Sequence, residues 1–73
     1  MLSVSDLAAV LERGGNVRIT NEGRTTAELA KLAKTAKDRA HLTIVVLFAL
    51  TAGELVEIAA YGGGSVTFDF VSS

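Results

Sequence analysis

Three features of the chain are of the types that chemistry uses: a single histidine, His41; a glycine run, Gly62-Gly63-Gly64; and the acids Glu54, Glu57 and Asp69. Histidine titrates near neutrality, and as a general base it must touch both a hydroxyl and an orienting carboxylate. The sequence sets Asn16 and Ser65 beside His41, and no acid. A polar strand-start residue is therefore the expected role, with a pH-sensitive assembly contact as its functional counterpart. The glycine run follows a helical stretch and precedes a strand. Phosphate-cradling loops have the reverse order, strand first and helix after, so this run reads as a turn. Glu54 and Glu57 lie on one helix and Asp69 stands alone between Phe68 and Phe70. No two carboxylates are spaced for acid–base work. No catalytic residue and no cofactor is assigned, and the expectation is a protein that is not an enzyme.

A second group is basic. Lys31, Lys34 and Lys37 step by three along one stretch, with Arg24 before them and Arg39 after. Such a strip suits phosphate backbones, but the net charge is −1 and Tyr61 stands apart, so there is no aromatic stacking platform. The first reading is a solvated helix face carrying Glu28–Lys31 and Lys34–Asp38 pairs. The alternative is a small nucleic-acid-associated regulator that uses the strip. With no cysteine and one histidine, neither disulfides nor a conventional zinc site is expected, and no metal is assigned. The longest mostly apolar stretch, Leu42 to Leu50, is nine residues and too short to span a bilayer. No basic-then-apolar leader is visible. A soluble, cytoplasmic protein without a membrane segment is expected.

The elements that must position these residues are written three times. Ser3 with Asp6, Thr25 with Glu28, and Thr51 with Glu54 each form a hydroxyl–x–x–acid box, the signature of a helix N-terminus. Behind each box apolar residues recur at helical spacing: Leu7, Val10 and Leu11; Leu29, Leu32, Ala33 and Ala36; Leu55, Ile58 and Ala59. Two of these runs end at glycines, while the second ends at Lys37-Asp38-Arg39 and reads as slightly longer. Thr35 and Asp38 repeat the box spacing by chance, with no amphipathic run behind them. Alternating strands follow at Val17–Thr20, Leu42–Val46 and Val66–Phe70. The strand starts lie 25 and 24 residues apart, which is crossover length, so the strands are expected parallel, with right-handed crossovers.

The predicted fold is α/β: a two-layer miniature solenoid, αβαβαβ, with a three-stranded parallel sheet in order 1-2-3 and all helices on one face. It forms one domain over residues 1–73, with units at about 3–20, 25–48 and 51–71. The period is similar to that of leucine-rich repeats, but no unit carries their strand-and-turn signature, and Asn21 has no counterpart after the other strands. No family follows.

This architecture leaves surfaces open. At 73 residues a single core supplies only ~3–5 kcal/mol without a staple. The 49% hydrophobic content suits a chain completed by a partner. The uncovered sheet face would carry Asn16, Arg18 and Thr20, then His41, Thr43 and Val45, then Ser65, Thr67 and Asp69. That is an apolar spot, extended by Leu47, in a polar frame. Both outer strands are open edges. Residues 1–39 hold seven bases and five acids, and residues 40–73 hold three acids and no base, an asymmetry suited to head-to-tail contact. The expected function is a non-enzymatic protein–protein interaction or self-assembly module. Its contact residues are Arg18, Thr43, Val45, Thr67 and Asp69, and its partner is a homo-oligomer mate or another protein. Membership of a longer array is the further possibility.

Overall fold

A computed structural model describes residues 2–71. Each predicted box closes. In α1 (Val4–Glu12), α2 (Thr26–Ala36) and α3 (Ala52–Gly62), the cap hydroxyl accepts from the backbone of the acid three residues on, and that acid accepts from the cap N–H. Each box satisfies two of the amides that a helix start leaves free, and losing a cap hydroxyl costs about 1 kcal/mol. Strands β1 (Val17–Thr20), β2 (Leu42–Val46) and β3 (Val66–Phe70) pair in parallel in the order β1-β2-β3. The register runs Val17–Leu42–Val66 and Ile19–Ile44–Phe68 across the sheet. The expected αβαβαβ arrangement in two layers is thus the observed one.

The helices leave by different routes. Gly63 takes the left-handed conformation (φ 53°) that closes α3. After α2 the same job falls to Asp38 (φ 63°), one of the few residue types that tolerates it without being glycine. α2 has 11 residues against 9 in α1 and 11 in α3, so its expected extra length holds against the first helix and not against the third. Thr35 donates to the Lys31 carbonyl within α2 and caps nothing. Gly62 lies inside α3, where a Cβ would overlap the Val66 side chain and sit 3.5 Å from that of Ala33.

Leu11, Leu29, Leu32, Leu42, Ile44 and Ile58 are completely buried between the layers. Each such side chain contributes ~1.5–3 kcal/mol of transfer free energy. Two residues expected on buried faces are not buried. Val10 is 43% exposed and Ala59 is also exposed, while Leu55 is half-buried. Counting from each cap residue gives the reason. The seventh position after the cap (Val10, Leu32, Ile58) is buried in α2 and α3, which have a helix before them, and exposed in α1, which has none. The fifth position (Ala8, Ala30, Val56) and the eighth (Leu11, Ala33, Ala59) are buried in α1 and α2, which have a helix after them, and exposed in α3. Burial here is set by neighbours that exist on one side only at the two ends of the stack.

The sheet repeats this pattern. Leu42 and Ile44 of the central strand are fully buried, whereas their register partners Val17, Ile19, Val66 and Phe68 are half-buried. Phe70 lies at the far end of β3, 62% exposed, with its ring 6.3 Å from that of Phe68. Phe48 is likewise exposed, in the loop after β2, and is not the core or sheet residue its type suggests.

Candidate functional site

The uncovered sheet face is built by strand alternation. Leu42, Ile44 and Val46 point to the helices, so His41, Thr43 and Val45 point away, flanked by Arg18 and Thr20 on β1 and by Thr67 and Asp69 on β3. In register Arg18 lies beside Thr43 and Thr67, and Asp69 lies beside Val45 and Thr20. The two charges nevertheless meet. The Arg18 guanidinium donates to the Asp69 carboxylate at 2.9 Å, reaching diagonally past the central strand. This is the one ion pair among the described residues, so neither Glu28–Lys31 nor Lys34–Asp38 forms as expected. Arg18 and Asp69 are both well exposed, and a pair of that kind is worth ~0.2–1 kcal/mol. The pair spans the face from β1 to β3, across a middle made by Thr43 and Val45, both half-buried.

His41 bonds to Asn16 opposite it, but its ring reaches past Ser65 on the other side. Its backbone N–H donates to Asn16 Oδ1 at 2.8 Å, while its ring nitrogen Nε2 bonds the Thr67 hydroxyl one step along β3. No carboxylate joins this pair, and it has the form of a cross-strand brace. All five residues expected to form the contact face, Arg18, Thr43, Val45, Thr67 and Asp69, lie together on this side of the sheet. Leu47 lies beyond the end of β2 and is not part of the face. It starts a loop instead.

That loop is held by the residue sequence reasoning missed. Asn21, directly after β1, is 6% exposed. Its Oδ1 accepts from the backbone N–H groups of Leu47 (2.8 Å) and Phe48 (3.1 Å), and its Nδ2 donates to the Phe48 carbonyl (2.8 Å). One side chain thus satisfies three backbone groups of the crossing that leads from β2 to α3. The available signal was a lone Asn at a strand end, which composition cannot tell from an ordinary turn residue.

The basic strip is only partly assembled. Lys31, Lys34, Lys37 and Arg39 line a shallow depression with Glu12 and Thr35. Arg24 is elsewhere, at the N-terminal end of α2, where its guanidinium donates to the Leu2 carbonyl. It lies by Asn21, Phe48 and Glu54 and is not a member of the strip. Tyr61 lies in a groove between α2 and α3 beside Lys31, Lys34 and Glu57.

Glu54 is the acid with a distinctive environment. The Thr26 hydroxyl donates to its Oε2 at 2.6 Å, tying α2 to α3, and the Thr51 N–H donates to its Oε1. The Thr26 bond first, then the bonds with Thr51, hold its carboxyl below the ordinary value of 4.5. Among the described residues no three His, Cys, Asp or Glu side chains cluster as metal ligands, and no helix is long and apolar enough to cross a membrane. Comparisons with family models, with curated proteins and with solved structures return no match.

Proposed function

We propose that this chain is a non-enzymatic interaction module that receives another protein chain on its sheet face and strand edges. One observation carries the reading: at the two ends of the three-unit stack, apolar positions that an adjoining helix buries inside it stand exposed. The open edge of β3, with Phe70 and Val71 exposed at its end, and the exposed Val56 of α3 are surfaces that proteins ordinarily cover or pair. The sheet face adds a platform with an apolar residue, Val45, on its central strand and the Arg18–Asp69 pair reaching across it. The partner is a homo-oligomer mate or another protein.

The face is tested by Val45→Glu, which alters its centre without entering the core. Reduced association, measured by light scattering across a concentration series, is the expected outcome. Unchanged association and unchanged partner binding in both Val45→Glu and Arg18→Glu would overturn the assignment of the face.

The gathering of Lys31, Lys34, Lys37 and Arg39 into one depression supports a second reading, a small nucleic-acid-associated regulator. It predicts salt-sensitive retention of RNA or DNA that vanishes when the three lysines become Glu. No mobility shift with either nucleic acid at low salt removes it.

A further inference from the structure

We infer that the partner of the open edges is a second copy of this chain, stacked head to tail, with β1 of one copy continuing the sheet beside β3 of another and α1 packing on α3. The inference rests on the interaction reading above and names its occupant and register.

Side-chain burial supplies the first argument. The helix positions left exposed are those that the internal contacts bury. Val56 and Ala59 of α3 match Ala30 and Ala33 of α2, which α3 covers, and Val10 of α1 matches Leu32 and Ile58, which the preceding helix covers. A copy displaced by one unit brings its Val10 onto Val56 and Ala59. The same displacement sets its Val17 and Ile19 beside Val66 and Phe68, so that each half-buried row gains the neighbour that Leu42 and Ile44 already have.

Backbone groups supply the second. Val17 N–H donates forward to the His41 carbonyl and Leu42 N–H forward to that of Ser65. Core-facing residues of each strand therefore bond to the next strand, and outer-face residues bond to the one before, as a parallel ladder requires. On β3 this leaves the N–H and C=O groups of Val66 and Phe68 pointing off the edge, and on β1 those of Arg18 and Thr20. Continuing the register Val17–Leu42–Val66 into a second copy points Phe68 N–H at its Arg18 carbonyl and its Thr20 N–H at the Phe68 carbonyl. The internal register thus satisfies both edges at once.

Charge decides between this arrangement and a two-fold dimer. Pairing β3 with β3 brings two Asp69 edges together, and pairing β1 with β1 brings two Arg18 edges together. Head-to-tail stacking sets Arg18 of one copy on the strand adjacent to Asp69 of the other, closer in the sheet than the internal pair, which must reach past β2. It also sets the acidic trailing unit, with Glu54, Glu57 and Asp69, against a leading unit whose charges (Asp6, Glu12, Arg13 and Arg18) balance, where a β3–β3 dimer would set two acidic units together. Such a contact is heterologous and, unless its rotation closes a ring, grows as an open chain.

The test uses two exposed substitutions, Val10→Glu on the leading flank and Ala59→Glu on the trailing flank, with circular dichroism confirming the fold. The wild type should grow in mass with concentration past the dimer. Each variant alone should remain at the single-chain mass of 7.6 kDa. Mixed one to one, they should form a species of twice that mass and nothing larger, because one intact flank of each kind remains. A monomeric wild type over a hundredfold concentration range overturns the inference, and so does one variant that keeps a dimer alone or a mixture that stays monomeric. None of these results touches Val45, so the sheet-face reading is judged separately by its own variant.

Discussion

Replacing Asn21 by Ala is the perturbation whose cost follows most directly from the hydrogen bonds of the fold. The side chain is 6% exposed and makes three hydrogen bonds, of 2.8, 2.8 and 3.1 Å, to backbone groups of Leu47 and Phe48. Each bond carries a net ~0.5–1.5 kcal/mol, and a polar group left buried without a partner costs more than that. Leu47 and Phe48 are exposed, so water replaces part of what is lost. The expected loss is about 2–3 kcal/mol. Against the ~3–5 kcal/mol that a single core of this size supplies, the change removes a large share. Urea unfolding followed by circular dichroism measures it, with Asn21→Asp as the control. Aspartate keeps the acceptor for both N–H groups but turns an oxygen, in place of the donor, toward the Phe48 carbonyl, so it should recover only part of the Asn21→Ala loss. A loss below ~0.5 kcal/mol for Asn21→Ala, with an unchanged urea dependence, would refute the claim that this side chain organises the loop.

Two further outcomes follow from single contacts. Because the folded carboxyl of Glu54 titrates below 4.5, its bonds with Thr26 and Thr51 stabilise the fold above that pH and are lost as pH falls through the folded value. The stability difference between wild type and Glu54→Gln should therefore shrink in urea titrations taken from about pH 6 down to pH 3, and a constant difference would contradict the assignment. Gly62→Ala should destabilise by ~1–3 kcal/mol despite alanine's better helix propensity, because the new Cβ meets Val66 and Ala33. Val66→Ala in the same chain should recover most of that loss in thermal melts, and failure to recover it would place the strain elsewhere.

What the amino-acid pattern reveals here is what lies close in sequence. The three capping boxes need only a hydroxyl and an acid three residues apart, and all three close. Alternation and crossover length were enough for parallel strands in chain order, because 24 or 25 residues between strand starts leave room for a helix and no room for ambiguity. The misses are of a different kind. A 3.6-residue period shows that Val10 and Ala59 lie on an apolar stripe, but not whether a neighbour exists to cover that part of it. Asn21 acts on backbone 26 and 27 residues away, and Arg18 pairs with an acid 51 residues away and one register step off its own row. Neither partner is implied by residue type or spacing. Long side chains add their own reach, which is how Arg18 and His41 bond diagonally instead of to the residues directly opposite.

Amide hydrogen exchange, resolved residue by residue and repeated as the protein is concentrated, addresses the open edges most directly. If they are association surfaces, protection at the outward N–H groups of Phe68 and Phe70 on β3 and of Arg18 and Thr20 on β1 should rise with concentration, while the central Leu42 and Ile44 stay unchanged. Exchange at those four edge amides that remains fast and independent of concentration would contradict the account.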